Sequence, residues 1–158
     1  MSIVSIVYMP EGIAMAADSR LTVRHTISKD EKTTEELVTL SDNSQKLFLL
    51  SKCSVGIASV GNAFINGQTI SDYIRLFEIN DITDEDTPET VANKLFAHKD
   101  EYIGTTFLVC GYDRDVPYVF VIDKKEKKRE NVDTDNNIGY GLKWEGENEA
   151  LTKLITLE

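Results

Sequence analysis

The chain has 158 residues, a hydrophobic fraction of 41% and a formal net charge of −10. The length suits one domain, 1–158, whose core needs neither disulfide nor metal. The charge argues against nucleic acid as a partner, and the want of a charged-then-apolar leader or of an apolar run near 18 residues predicts no membrane span and a cytoplasmic setting.

Cys53 and Cys110 each sit in an apolar run, not in a CxxC pair, and read as buried free thiols. Ile3–Met9 is apolar and β-branched, broken by Ser5, which predicts a strand covered on both faces. Pro10-Glu11-Gly12 marks a turn, and residues 13–17 form a second apolar strand that stops at Asp18-Ser19-Arg20. The pair predicts a hairpin in the middle of a core. Residues 23–45 are rich in Thr, Glu, Lys, Asp and Ser and read as a surface excursion, with a hairpin through Leu37-Val38-Thr39-Leu40. Residues 46–50 and 54–60 are the next two strands.

Asn62 reads as the N-cap of a helix whose apolar stripe is Ile70, Tyr73, Ile74 and Phe77. A second helix opens at Thr87-Pro88-Glu89, with a cap, a proline at the first position and an acid in the first turn. Val91, Leu95, His98 and Tyr102 share its face. Residues 105–111 and 117–122 are strands joined by a turn at Asp113-Arg114-Asp115. The basic run from Lys124-Lys125 to Lys127-Lys128-Arg129, interleaved with acids, reads as a solvated hairpin end. Residues 138–141 close a further extended piece, and 145–155 predict a last helix with Ala150, Leu151 and Leu154 apolar. Strands, two helices, strands and a helix make an α+β class, with stacked sheets and helices outside.

The sequence has two histidines, His25 in the polar excursion and His98 on a helix face, and no GxSxG elbow. The alternative nucleophile is Ser2. An initiator Met before a small residue is commonly removed, which leaves Ser2 with a free α-amine of pKa about 7.7–8.0. That amine can take the proton of its own hydroxyl, an arrangement that needs no histidine. It needs a nearby lysine and an acid to hold that lysine. Asp18 closes the strand antiparallel to the first one, and Lys46 opens the strand after the excursion.

The segment from Ser2 to Asp18-Ser19-Arg20 resembles the opening of a proteasome β-type subunit. Ser44-Gln45-Lys46-Leu47-Phe48 resembles that family's second catalytic segment, and Gly56-Ile57-Ala58-Ser59-Val60-Gly61 the strand before its first helix. Gly111-Tyr112-Asp113 with Pro117-Tyr118-Val119-Phe120, and Ile138-Gly139-Tyr140-Gly141, resemble two later turns. The resemblance runs in order along nearly the whole chain. It implies a four-layer αββα sandwich of the N-terminal-nucleophile (Ntn) hydrolase type, C-terminally reduced or truncated at Glu158.

The same resemblance implies roles. Ser2 is nucleophile and, through its amine, general base. Asp18 orients Lys46, Lys46 tunes Ser2, and backbone N–H groups near Val60 and Gly61 form the oxyanion hole. A peptide or protein substrate and a homo-oligomeric ring are implied, with no metal and no organic cofactor. Three departures stand out: Ser replaces the usual Thr, Tyr140 takes the place of a supporting serine, and the final bracing strands have no counterpart. Two other readings stay open, a non-catalytic assembly protein and an Ntn amidase acting on a small molecule.

Overall fold

The computed structural model describes residues 2–29, 32–147, 149, 152 and 153. β1 (Ile3–Met9) and β2 (Gly12–Ala17) pair antiparallel from Met9↔Gly12 to Val4↔Ala17. On the other side of β1 lies β12 (Gly141–Gly146), antiparallel from Tyr8↔Gly141 to Ile3↔Gly146. The hairpin is thus part of a three-stranded sheet with β2 at its edge.

Alternation decides what this sheet buries. Val4, Ile6 and Tyr8 point inward with Ile13, Met15 and Ala17 and meet Ala58, Val60, Leu108, Cys110 and Val119 of a second sheet. Val7 and Met9 point the other way and are 42% and 46% exposed, and Ala14 and Ala16 are exposed with them. The prediction of strands covered on both faces is therefore corrected: among the described residues, nothing seals the outer face.

The second sheet has five strands in the order β11-β10-β9-β6-β5. They are β5 (Leu47–Leu50), β6 (Val55–Gly61), β9 (Thr105–Asp113), β10 (Val116–Ile122) and β11 (Lys127–Arg129). All its neighbouring pairs are antiparallel. Arg114 and Asp115 turn β9 into β10 with φ of 48° and 66°. The basic run is only partly solvated. Lys124 and Lys125 are exposed, but Lys127 lies over the Phe120 ring and the Arg129 guanidinium lies 3.9 Å from the Tyr118 ring centre.

Helices α1 (Ile70–Asp81) and α2 (Pro88–Ala97) cover the far face of this sheet. Ile70, Tyr73, Ile74 and Phe77 of α1 and Val91 and Leu95 of α2 are buried there, so the apolar stripes lie where their spacing puts them. Thr87 caps α2 in a reciprocal capping box with Thr90. The cap of α1 is Thr69 and not Asn62. Between them the chain makes a small ribbon, β7 (Phe64–Ile65) and β8 (Gln68–Thr69), turning through Asn66 and Gly67 at positive φ. His98 ends α2, and Tyr102 follows a short 3-10 turn (Lys99–Glu101) to be fully buried.

The polar excursion is a long ribbon of β3 (Leu21–Lys29) and β4 (Lys32–Ser41), mostly exposed on both faces. Glu145 and Gly146, predicted as the start of a helix, are the end of β12, and most of 147–155 lies outside the described residues.

The four-layer αββα expectation is therefore corrected. In the described residues α1 and α2 form one layer over two stacked sheets, with the long β3–β4 ribbon and the small β7–β8 ribbon beside them. α1 and α2 lie on the same side, and Glu149, Thr152 and Lys153 are also helical. No helix among the described residues is long and apolar enough to cross a membrane.

Asp86, ahead of α2, accepts from Thr83 N–H at 2.8 Å, Thr90 Oγ1 at 2.8 Å and Lys94 Nζ at 2.7 Å. Burial pushes its carboxyl up, but the Lys94 contact and the Thr83 and Thr90 hydrogen bonds win and hold it at about 2. A depressed folded-state pKa stabilises above the unfolded value of about 3.9, and that contribution is lost as pH falls towards 2. In urea unfolding at a series of pH values, Asp86→Asn is expected to be less stable than the parent at neutral pH. The gap should narrow on acidification below pH about 4; a constant gap would contradict this account.

Candidate active site

Four strand ends meet at Lys46. Ser2 precedes β1, Asp18 and Arg20 lie between β2 and β3, and Lys46 precedes β5. Antiparallel pairing of β1 with β2 puts the Asp18 end of the hairpin beside residue 2. Asp18 N–H donates to Ile3 O at 3.1 Å, and Ile3 N–H donates to Asp18 Oδ1 at 2.8 Å. Lys46 enters because its carbonyl accepts from Ser59 N–H at 3.0 Å, which extends the β5–β6 pairing by one step.

The Lys46 side chain is 7% exposed. Its Nζ donates to Asp18 Oδ2 at 2.8 Å, to Arg20 O at 2.7 Å and to Ser2 Oγ at 3.2 Å. An ammonium has three N–H groups and no acceptor, so these partners use all of them. Lys46 therefore sits here as a cation and a hydrogen-bond donor. It does not offer Ser2 a lone pair.

Asp18 answers the charge. Partial burial pushes its carboxyl up, but the Lys46 hydrogen bond, the Ile3 N–H, the Lys46 charge and the Arg20 N–H outweigh this and hold it below the usual value. Arg20 itself points away, its Nε on Asp42 Oδ1 at 2.9 Å.

The backbone of β6 supplies a further donor. Ser59 N–H points to the β5 side and Asn62 N–H to the β9 side, where it meets Gly104 O at 2.9 Å. By strand alternation Gly61 N–H points to the β5 side and Val60 N–H to the β9 side. Ladder pairing with β5 ends at Leu47↔Ala58, so Gly61 faces the space beside Lys46. Gly61 has φ +101°, and a Cβ there would lie 2.1 Å from Gly104 O, so only glycine fits.

Two cavities border Ser2. One, of about 330 Å³, is lined by Lys46, Gly61, Asn62 and Phe64 among others. The other, of about 470 Å³, lies against the β3–β4 ribbon and is lined by Asp18, Arg20, Thr22, Leu37 and Glu147.

Other sequence candidates lie elsewhere. Tyr140 is half exposed, at the Tyr8 end of the β1–β12 pairing, whereas Ser2 is at the Gly146 end. It therefore does not take a bracing serine's place beside Ser2. Beside Ser2 lies Glu147, whose N–H donates to Ser2 O at 2.8 Å. Sequence reading missed it because 145–155 carries a helical apolar spacing; the one available signal was Gly146 closing the run that holds Trp144. His98 is half-buried against the Phe77 ring, with Nδ1 3.3 Å from Glu101 Oε1 and Nε2 3.8 Å from Asp81 Oδ2. His25 is exposed on the ribbon. Cys53 is half-buried and Cys110 buried, and burial pushes the Cys110 thiol up to about 12. Among the described residues no cluster of His, Cys, Asp and Glu could hold a metal ion.

The Lys46–Asp18 pair gives a pH signature. The stability that Asp18 contributes is full above pH about 4 and is lost as pH falls through its depressed folded value. In Lys46→Met, carboxyl NMR should show the Asp18 titration midpoint move up from the parent's, and the variant should be less stable at neutral pH. An unmoved midpoint would contradict the assignment of Lys46 as its partner.

No known family model matches the sequence, and no curated protein matches it. Among solved structures the chain is similar to Anbu from Hyphomicrobium sp. strain MC1. The two share 17% identity and superpose with a TM-score of 0.52. The match covers 94% of this chain and 62% of that one, so this chain spans less than two thirds of its neighbour's length. A likeness at this identity concerns the fold alone. With α1 and α2 on one side of described residues that are mostly strand, membership of the proteasome-type family, suggested by the motifs, does not stand.

Proposed function

We propose that the chain hydrolyses amide bonds through the Ser2 hydroxyl, freed at the N-terminus by removal of Met1. Met1 lies outside the described residues. The observation that carries the reading is the saturated ammonium of Lys46, 3.2 Å from Ser2 Oγ. A cation placed there stabilises an alkoxide forming on Oγ but cannot accept its proton. The base must come from elsewhere, and the α-amine of Ser2 itself is the nearest group that chemistry offers.

In the proposed reaction the Oγ proton passes to the neutral α-amine as Oγ bonds to the substrate carbonyl carbon. Gly61 N–H faces the developing oxyanion. The carbon–nitrogen bond then breaks, and the leaving amine takes the proton from the α-ammonium. Water adds to the carbonyl carbon of the resulting ester and gives one proton to the amine; the carbon–Oγ bond then breaks as that proton passes to Oγ, so the acid product leaves and Ser2 is restored. The substrate proposed is a peptide or protein, whose chain on either side of the cleaved bond has a cavity beside Ser2 to enter. The two free thiols suit a reducing compartment, and the reading places the protein in the cytoplasm.

The test begins with intact mass, expected to lack Met1. An acylating electrophile such as a β-lactone should then add one equivalent on Ser2. Ser2→Ala should lose labelling, and its peptide hydrolysis should fall by about 10³-fold or more. Full retention of Met1, or equal hydrolysis by parent and Ser2→Ala, would overturn the reading.

A further inference from the structure

We propose that Gly146 and Glu147 complete a clamp on the Ser2–Ile3 peptide group, and that this clamp aims the serine at Lys46. The inference rests on the reading of Ser2 as nucleophile. A peptide group has two polar edges, and here both are held. The Ser2 carbonyl accepts from Glu147 N–H at 2.8 Å, and the Ile3 N–H of the same group donates to Asp18 Oδ1 at 2.8 Å. One hold comes from the end of β12 and the other from the end of β2, on opposite sides of β1. With the plane fixed, the position of Ser2 Cα follows, and only the rotations about Cα–C and Cα–Cβ are left to place Oγ.

That constraint matters more for serine than for threonine. A β-branched side chain is restricted in its first torsion, whereas serine can use three staggered wells. A serine nucleophile therefore relies on its backbone and on its hydrogen bond to hold its aim. The bond to Lys46 Nζ, at 3.2 Å, is the longest of the three that Lys46 makes. The backbone clamp fixes the Cα from which that bond reaches.

Gly146 is what lets the clamp close. Its φ is +98°, a region that favours glycine. A Cβ there would lie 2.0 Å from Ser2 O and 2.9 Å from Ser2 C, and both are backbone atoms that cannot swing aside. Any larger residue must push the Ser2–Ile3 plane away from Glu147 N–H. Gly146 and Glu147 are thus positioning residues, acting on the reacting oxygen through the main chain and not through the Glu147 carboxylate.

Gly146→Ala tests this in three ways. A crystal structure of the variant should show Ser2 Oγ beyond hydrogen-bond range of Lys46 Nζ, past about 3.5 Å. Acylation of Ser2 by the β-lactone and kcat on peptide should fall about 10- to 100-fold with KM within about twofold, the scale on which a misplacement near 1 Å acts. In the parent, the Ile3 and Glu147 amides should exchange with solvent at least about tenfold more slowly than unprotected ones.

The parent's exchange decides the matter even where Gly146→Ala does not fold. Unprotected amides there, or a variant with the parent's Ser2–Lys46 separation and acylation rate, would overturn the clamp. If the parent's free Ser2 is not acylated at all, the reading of Ser2 as nucleophile fails, while the exchange and the crystal structure still judge the clamp.

Discussion

Lys46 is the cation around which the site is arranged. It is nearly removed from water, and an ammonium so placed costs several kcal/mol unless its charge and its three N–H groups are all met. They are met by Asp18 Oδ2, Arg20 O and Ser2 Oγ. These acceptors come from segments before β1 and between β2 and β3, and the lysine from the segment before β5. One side chain thus ties three chain segments that are far apart in sequence. Moving any of them leaves a buried donor unmet, so the geometry around Ser2 is held by the same contacts that stabilise the fold.

Two apolar layers keep those segments in place. Val4, Ile6 and Tyr8 of β1 interdigitate with Ala58, Val60, Leu108 and Val119 between the sheets, which sets β1 against β6 and so Ser2 against Gly61. Behind the five-stranded sheet, Tyr73, Phe77, Leu95, Tyr102 and Phe107 back it with the two helices. Glycine is required where backbones close on each other at the site. Gly61 lies against Gly104, and Gly146 against Ser2. These positions lie at the two strand ends that flank the serine.

The architecture departs from a symmetric sandwich on one side. The outer face of β12-β1-β2 carries Val7, Met9, Ala14 and Ala16, and it is open among the described residues. The apolar composition of β1 and β2 suggested cover on both faces, but composition reports only which residues can be buried. Whether a layer lies against them depends on where the rest of the chain goes. The superposition on a longer solved chain shows a likeness of fold and no more than that.

Local chemistry made many elements legible. β-branched runs bounded by turn residues marked β1, β6, β9 and β10, and the Thr87-Pro88-Glu89 start marked α2, because these signals act within a few residues. Ser2, Asp18 and Lys46 could be singled out because an antiparallel hairpin must return its second strand to the start of its first. Longer-range features were not legible. The Asn62 cap gave way to Thr69 because a small ribbon fits between them, and the 145–155 helix pattern could not reveal that Glu145 and Gly146 finish a strand beside β1. That Glu147 and not Tyr140 lies beside Ser2 was hidden for the same reason. The sequence by itself determined which groups could carry the chemistry and which stripes were apolar, since both follow from residue type and spacing. Only the tertiary structure decided that Lys46 spends all three N–H groups and that Gly146 brings Glu147 to the Ser2 carbonyl, because both depend on pairings between distant strands.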